Sequence, residues 1–310
     1  MQLTNRRVRL MGTVIDVSIY HEEPEPLLDQ VEALLHTYNK RFSANDDSSE
    51  LMKINKAAGL HSVTVHPELF ELISLGKWHS CQPGSHLNIA IGPLIQTWRI
   101  GFSDAKLPLP EEIRPLLDII NPNAILLSEE NQSVFLKEKG MKIDLGALAK
   151  GYIADRIADF LKAEKVTSAL INLGGNVLTF GPALHNPDHK WRIGIQNPKE
   201  TRNTNLMVLA IRDKSVVTSG IYERTFEIDG KTYHHIFNSQ TGYPVSSDLA
   251  SLTIISSLSV DGEIWTTRLF GSSLEHIFQE VSSQAELEAI IVDKDNHCFQ
   301  TGGIYKMRIS

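Results

Sequence analysis

The chain has 310 residues, of which 42% are hydrophobic and 22% charged, and its formal net charge is −7. This profile is typical of a folded globular protein, and the negative charge argues against binding to nucleic acid or to an anionic membrane. No stretch approaches the ~20 apolar residues of a membrane-spanning helix, and the N-terminal residues show no apolar signal region, which predicts a cytoplasmic protein. Cys81 and Cys298 lack the spacing of a metal site and are predicted to be unpaired thiols.

The first half of the chain predicts two hairpins and several helices. Residues 7–20 alternate like a hairpin or an edge strand, and residues 26–40 carry apolar side chains at helical spacing. Residues 68–80 predict a second helix. Residues 101–123 are rich in Pro, Asp and Asn, which predicts a mobile loop with one short helix. Residues 124–143 predict a hairpin.

The second half predicts mainly strands. A helix over about residues 147–163 is followed by strands and then by a helix over about 261–282 and a terminal hairpin. Because strands and helices mix without regular βαβ alternation, the pattern predicts an α+β fold rather than a doubly wound sheet. The predicted strands lie at residues 168–180, 190–196, 206–213, 216–218, 224–229 and 250–257.

The segment K-I-D-L-G-A-L-A-K-G-Y at residues 142–152 combines features of a nucleotide site. An apolar run ends at Asp144, and the small residues Gly146 and Ala147 precede the predicted helix. Small residues let a ligand approach the backbone, and the N-terminus of a helix attracts phosphate. An ordinary turn between a strand and a helix would give the same pattern, so the segment alone leaves both interpretations open.

Eight short motifs follow one another along the chain. They are M-G-T at residues 11–13, F-S with S-E-L and I-N between 42 and 55, L-N-I-A-I-G-P-L at 87–94, D-L-G-A-L-A-K-G-Y at 144–152, N-L-G-G at 172–175, S-G-I-Y-E-R at 219–224, H-H-I with T-G-Y-P between 234 and 244, and E-I-W-T-T-R-L-F at 263–270. Together and in this order they resemble the motifs of the ApbE family, the FAD:protein FMN transferases.

The resemblance implies an enzyme that needs Mg²⁺ and transfers FMN from FAD to a Ser or Thr hydroxyl of a target flavoprotein, releasing AMP. It also implies one compact unit over residues 1–310, with mixed or antiparallel sheets, flanking helices, and a nucleotide cleft between lobes of about 1–140 and 141–310. Two alternatives stay open. One is an Mg²⁺-dependent FAD pyrophosphatase that gives FMN and AMP, and the other is a non-catalytic FAD-binding protein.

For the metal ion, the resemblance implies Glu263, Thr267 and the backbone carbonyl of Ala147 as ligands. The i, i+4 spacing of Glu263 and Thr267 places both side chains on one face of a helix. The family usually has Asp at the position of Glu263, so this side chain reaches further by one methylene. Asp261 is the alternative carboxylate and would point to another side of the helix.

The resemblance implies that His235 lies nearest the chemistry, where a histidine contacts the flavin phosphates or assists proton transfer. In an extended segment His234 faces the opposite way, so only one of the two histidines enters the cleft.

The implied nucleotide-binding residues come from several motifs, and three positions near the cleft depart from the family pattern. Asn45 stands where the family usually has Tyr, and Asn88 and Asn238 stand where it usually has Asp. These departures are compatible with FAD binding but leave the balance between transfer to protein and transfer to water open. The implied nucleotide-binding residues are Met11, Asn45, His86, Leu87, Asn88, Asp144, Lys150 and Ile236.

Overall fold

The fold combines a large antiparallel sheet with a layer of helices. The computed structural model describes residues 2–202 and 204–309. Its helices are α1 (Pro24–Phe42), α2 (Glu50–Lys56), α3 (Pro67–Ser80), α4 (Gly92–Trp98), α5 (Pro110–Leu117), α6 (Ala149–Ala163), α7 (Ser259–Leu269) and α8 (Leu274–Ser283). Its strands are β1 (Leu3–Leu10), β2 (Thr13–Tyr20), β3 (Val63–Thr64), β4 (Ile125–Ser128), β5 (Ser133–Leu136), β6 (Ala169–Leu173), β7 (Asn176–Phe180), β8 (Trp191–Gln196), β9 (Asn205–Ile211), β10 (Ser215–Gly220), β11 (Thr225–Ile228), β12 (Lys231–His234), β13 (Leu249–Ser256), β14 (Glu288–Asp293) and β15 (Cys298–Gln300).

Eight strands form the central sheet in the order β1-β2-β6-β7-β10-β13-β14-β15, and every neighbouring pair is antiparallel. A second sheet has the order β3-β5-β4, and β8–β9 and β11–β12 form separate two-stranded ribbons. Antiparallel sheets with flanking helices confirm the predicted α+β class. Because β1 and β2 share the central sheet with strands from the second half of the chain, residue 140 does not separate two independent sheets.

The inner strands β7 and β13 of the central sheet are buried on both faces. Ile254 and Ile291 belong to the main hydrophobic cluster, together with residues of the helices. Their neighbours Ile255 and Ile290 instead pack with Trp191 and other apolar residues of the β8–β9 ribbon. Since successive residues of a strand point to opposite faces, helices cover one face of the sheet and the ribbon covers the other.

A third hydrophobic cluster surrounds Trp98 at the end of α4. The Trp98 ring lies 5.4 Å from Tyr233, 5.7 Å from Phe237 and 5.6 Å from Tyr243, measured between ring centroids. Its indole Nε1 donates a hydrogen bond of 2.9 Å to the carbonyl of Gly242. These contacts fix the segment that carries the H-H-I and T-G-Y-P motifs.

The predicted helix over residues 261–282 is wrong in one respect, because the chain forms two helices there. Gly271, between α7 and α8, has φ of 102°. A Cβ at this position would lie 2.4 Å from Val245 Cγ1. Ser273 then caps α8 by accepting a 3.3 Å hydrogen bond from the backbone N–H of His276. A glycine with positive φ ends a helix, and apolar spacing does not reveal such a break.

Most other predicted elements are confirmed, with shifted boundaries. The β1–β2 and β4–β5 hairpins and helices α1, α3 and α5 lie where the patterns predict them, while α6 begins at Ala149, two residues later than predicted. Helices α2 and α4 were not predicted, because seven residues are too few to show a helical period. Cys81 and Cys298 are free thiols. None of the described helices is long and apolar enough to cross a membrane.

Asn55, at the end of the I-N motif, holds the segment that leads into α6. Its Nδ2 donates to the Ile143 carbonyl at 2.9 Å, and its Oδ1 accepts from the Ile143 N–H at 2.7 Å. On the other edge of the segment, the Asp144 N–H donates to the Ile89 carbonyl at 2.9 Å. Buried backbone groups need such partners, so this motif residue acts as a substitute for a neighbouring strand.

Replacing Asn55 by Ala is expected to lower the free energy of unfolding by about 2–4 kcal/mol, because two buried backbone groups of Ile143 lose their partners. Denaturation with urea, followed by circular dichroism, measures the change. Asn5→Ala is the matched control, since the amide of Asn5 makes one exposed hydrogen bond to Ser18, and its effect is expected to stay within about 0.5 kcal/mol. Equal stability of the two variants would contradict the role given to Asn55.

Candidate active site

Helices α6 and α7 pack unusually closely at Gly151. A Cβ on Gly151 would lie 2.6 Å from the Ser259 carbonyl oxygen and 2.8 Å from Glu263 Cγ. The neighbouring Lys150 places its Nζ 3.5 Å from Glu263 Oε1. The absence of a side chain at Gly151 therefore allows the D-L-G-A-L-A-K-G-Y motif to meet the predicted metal motif, 112 positions later in the chain.

A buried carboxylate ties the start of α7 to α6. Asp155 accepts hydrogen bonds from the N–H groups of Ser259, at 2.7 Å, and Val260, at 2.9 Å. Negative charge at the N-terminus of a helix is favourable. Burial nevertheless raises the pKa of Asp155 to about 6, because the two hydrogen bonds offset only part of the desolvation. Asp155 therefore fixes the position of α7 relative to α6.

Of the predicted metal-binding residues, Glu263 lies at this helix contact. Glu263 is buried, and Thr267 follows it by one turn of α7, as predicted. Ala147 precedes Gly151 by about one turn, at the entrance to α6. Among the described residues, no hydrogen-bond donor contacts Glu263 Oε2, Thr267 Oγ1 or the Ala147 carbonyl. These oxygens are the type of ligand that Mg²⁺ prefers, so the donor set fits this ion.

Asp261, the alternative carboxylate, faces another direction. Burial raises its pKa, and the neighbouring Glu286 raises it further. Asp261 also acts on the pKa of Asp155, near the N-terminal end of α7. Its surroundings are therefore acidic, whereas Glu263 faces Lys150.

The β11–β12 hairpin brings Arg224 and His235 together at its open end. Thr225 pairs with His234, so the residues just outside the ribbon are neighbours. The His235 Nδ1 lies 3.3 Å from the Arg224 carbonyl. Donation by Nδ1 leaves the lone pair of Nε2 available. Burial and the charge of Arg224 lower the pKa of His235 to about 4, so its imidazole is neutral at pH 7.

His234 has a different environment. Its Nε2 lies 3.0 Å from the Val245 carbonyl, and its Nδ1 accepts a 3.3 Å hydrogen bond from the Ile236 N–H. Both ring nitrogens are thus used to hold the backbone. The two histidines point to different partners, as the extended segment predicts.

Two cations, Lys150 and Arg224, act on His235 directly, and each of them also interacts with a carboxylate, Glu263 or Asp144. Burial raises the pKa of Asp144, and both the N–H of Gly146 and the guanidinium of Arg224 oppose this rise. Lys150 and Arg224 each lower the pKa of His235. The motifs predict roles in the site for Asp144, Lys150 and Glu263, but no catalytic role for Arg224. Arg224 ends the S-G-I-Y-E-R motif, but its place beside the other motif segments depends on the β11–β12 hairpin.

The run from His86 to Asn88 connects the end of α7 with the segment before α6. The His86 N–H donates to the Arg268 carbonyl at 3.1 Å, and Leu87 is buried. The Asn88 side chain donates to the Ile120 carbonyl at 2.8 Å and accepts from the Ala90 N–H at 2.8 Å. The Asn88 amide thus makes one donated and one accepted hydrogen bond inside the protein, and the part of this run in nucleotide binding stays a prediction.

The remaining predicted nucleotide-binding residues lie in turns and loops. Met11, with φ of 54°, lies in the turn between β1 and β2. Asn45 is exposed between α1 and α2. Ile236 is half-buried and accepts a 2.9 Å hydrogen bond from the Val245 N–H. Among the described residues, no hydrogen bond or ion pair joins Met11 or Asn45 to the charged groups around His235, so their part in the site stays a prediction.

Two features outside this region do not belong to the predicted site. The exposed residues Asp293, Asp295 and His297 bring ligand-type atoms within 4.8 Å of one another, but Asp293 already accepts hydrogen bonds from both others within one turn. A surface depression of about 390 Å³ near the C-terminus contains none of the predicted nucleotide-binding residues; it is lined by Phe278, Cys298, Phe299, Gln300, Tyr305 and Arg308.

Solved structures with this fold include two ApbE proteins. The ApbE protein of Thermotoga maritima superposes with a TM-score of 0.91 over the full length of both chains, at 24% identity. The apo form of the flavinyl transferase ApbE of Pseudomonas stutzeri gives a TM-score of 0.85 over 99% of this chain and 96% of that one, at 22% identity. These likenesses establish the fold.

Sequence comparison establishes the family. An FAD:protein FMN transferase of Klebsiella pneumoniae is 43% identical over 286 residues, which cover 92% of this chain and 88% of that protein. A protein of the same name from Treponema pallidum is 32% identical over 315 residues, covering 97% and 87%. The sequence model of the ApbE family matches residues 11–291. Since this match takes in all eight motifs and extends over most of the chain, the protein belongs to the ApbE family.

Proposed function

We propose that this protein is an FAD:protein FMN transferase that uses Mg²⁺ and attaches FMN to a Ser or Thr hydroxyl of a target flavoprotein. Relatives with 43% and 32% identity carry the name of this activity. The structural observation that supports it most is the α6–α7 contact, where Lys150 Nζ lies 3.5 Å from Glu263 Oε1. This contact combines a cation that suits a phosphate with oxygen atoms that suit a metal ion.

In the proposed reaction, the acceptor hydroxyl attacks the phosphorus of the FMN half of FAD, and the pyrophosphate P–O bond to the AMP half breaks. The products are the FMN phosphoester of the acceptor and AMP, and a base takes the hydroxyl proton. His235 is suited to this role because Nδ1 donates to the Arg224 carbonyl and leaves Nε2 free to accept. Mg²⁺, held by Glu263, Thr267 and the Ala147 carbonyl, would neutralise charge on the phosphates.

Positioning and charge are the main requirements of phosphoryl transfer. Lys150, on α6, and Arg224, just before β11, both supply positive charge near His235. Asp144 would accept hydrogen bonds from the ribose or the flavin. The protein thus holds its charged groups in place before the substrate binds, which is how enzymes stabilise developing charge.

The direct test is to incubate the protein with FAD, Mg²⁺ and a candidate acceptor flavoprotein. We expect the acceptor to gain the mass of one FMN and AMP to be released in equal amount, and EDTA to stop both. Release of AMP and free FMN without a gain in acceptor mass would favour the pyrophosphatase alternative. Bound FAD with no AMP under any metal condition would favour the non-catalytic alternative.

Glu263→Ala and Thr267→Val are each expected to lower Mg²⁺-dependent FMN transfer by about two orders of magnitude or more, since a metal ion supplies several kcal/mol of transition-state stabilisation. Circular dichroism should show that both variants keep the fold. Asp261→Ala is the control on the same helix, and its transfer rate should stay close to the wild-type rate. Normal transfer rates in both ligand variants, or a loss of transfer only in Asp261→Ala, would show that Glu263 and Thr267 are not the metal ligands.

FAD is expected to bind at least about tenfold more tightly than FMN, because FMN lacks the AMP half and its contacts. Calorimetric titration with each nucleotide measures the difference. Asp144→Ala should reduce the affinity for FAD, whereas Asn186→Ala, on an exposed loop, should not. Equal affinity for FAD and FMN would contradict a site that binds the whole dinucleotide.

Asn45 is the position that we expect to influence the alternative activity, the hydrolysis of FAD. The position lies exposed beside the buried Phe42, whose ring packs 5.6 Å from Tyr38 and 5.8 Å from Tyr152, measured between centroids. Phe42 is therefore committed to the core and does not replace the Tyr that the family usually has at Asn45. A smaller polar residue covers less of a nucleotide and can hold water.

We expect measurable Mg²⁺-dependent hydrolysis of FAD beside transfer, and we expect Asn45→Tyr to reduce hydrolysis more than transfer because an aromatic ring excludes water from the phosphates. Release of AMP and free FMN without acceptor, compared between wild type and variant, measures this. The packing argument fails if the wild type releases neither product, or if the variant hydrolyses FAD faster.

A further inference from the structure

A buried row of polar side chains lies behind Glu263. Asn176, the first residue of β7, donates from Nδ2 to Glu263 Oε1 at 2.9 Å. Its Oδ1 accepts a hydrogen bond from the Ser259 hydroxyl, and Ser215 Oγ lies 3.0 Å from Ser259 Oγ. Asn176 is only 2% exposed, and both serines are fully buried. The row therefore extends from the interior of the central sheet to the predicted metal-binding carboxylate.

The order of donors and acceptors in this row fixes the orientation of the Asn176 amide. An amide nitrogen only donates and an amide oxygen only accepts. Ser259 supplies a donor on one side of Asn176, and Glu263 supplies an acceptor on the other. If the amide were reversed, its oxygen would face the carboxylate of Glu263, and neither oxygen would have a hydrogen to donate. The row therefore directs an N–H group of Asn176 toward Glu263 Oε1.

Glu263 needs such a contact more than the Asp that is usual in the family, because its side chain has one more rotatable bond. Lys150, the other partner of Oε1, is 3.5 Å away, and 31% of its side chain is exposed. A long, partly exposed lysine restricts a carboxylate less than a buried amide does. Asn176 is therefore the partner that determines where the carboxylate of Glu263 lies.

We infer that Asn176 is a positioning residue for the metal-binding carboxylate, and that Ser259 holds its amide in place. The inference rests on the metal site proposed above. With Oε1 held by Asn176, Oε2 is the oxygen left for a cation. Partners of this kind orient metal ligands, and their loss typically weakens metal binding by about 10- to 100-fold.

The test is a calorimetric titration of the full chain with Mg²⁺ in the absence of FAD. Asn176→Leu keeps a similar volume but removes the donor, and it is expected to weaken Mg²⁺ binding by about 10- to 100-fold. Thr179→Val is the matched control in the same strand, since Thr179 is also buried and donates to the Lys214 carbonyl at 3.0 Å, away from Glu263. This control should bind Mg²⁺ like the wild type.

Two further measurements separate positioning from a general loss of structure. Ser259→Ala leaves Asn176 in place but removes the hydroxyl that donates to its Oδ1, so we expect a smaller loss of Mg²⁺ affinity. If Asn176→Leu does not fold, Ser259→Ala tests the inference in its place. At saturating Mg²⁺, FMN transfer by Asn176→Leu should approach the wild-type kcat, because only the metal requirement has changed.

Unchanged Mg²⁺ affinity in folded Asn176→Leu, or in Ser259→Ala when Asn176→Leu does not fold, would overturn the inference. So would an equal loss in Thr179→Val. A wild-type protein that binds Mg²⁺ but transfers no FMN would overturn the proposed function, and the comparison of Mg²⁺ affinities would still decide the role of Asn176.

Discussion

The candidate site depends on how closely α6 approaches α7. Gly151 has no side chain, and any Cβ there would meet the Ser259 carbonyl and Glu263 Cγ at less than 3 Å. Two further contacts exist only because the helices are this close, namely the Lys150–Glu263 pair and the capping of α7 by Asp155. One small residue thus determines whether a nucleotide motif and a metal motif form a single site.

Burial and neighbouring charged groups together determine the pKa values of the titratable groups in the site. Burial raises the pKa of Asp144, and the guanidinium of Arg224 opposes this rise. The same guanidinium, with burial, keeps His235 neutral at pH 7. Positive charge and a neutral imidazole suit the binding of a pyrophosphate. In such a site the fold, and not mobile solvent, orients the polar groups. The proposal that FAD is the substrate rests on relatives that carry the name FAD:protein FMN transferase.

Several motif residues make hydrogen bonds within the scaffold. Asn55 pairs with the backbone of Ile143, and the Asn88 amide both donates and accepts inside the protein. Asn238 Oδ1 accepts a 2.8 Å hydrogen bond from the Gln240 N–H, a role that an Asp would also perform. At Asn88 the donated bond needs an amide, since a carboxylate has no hydrogen to donate. The departure at Asn88 therefore has a structural explanation, whereas the contacts of Asn238 would suit Asp equally well.

The sequence by itself determined the elements whose signal is local. Apolar spacing predicted α1, α3 and α6, alternation predicted the first hairpin, and the i, i+4 spacing of Glu263 and Thr267 placed both on one face of α7. The motif order determined the family. Only the tertiary structure decided that α7 ends before Gly271, that Arg224 lies beside His235, and that Asn176 reaches Glu263. Asn176 and Glu263 are 87 residues apart, and such a contact follows from strand order and helix packing, which leave no periodic pattern in the chain.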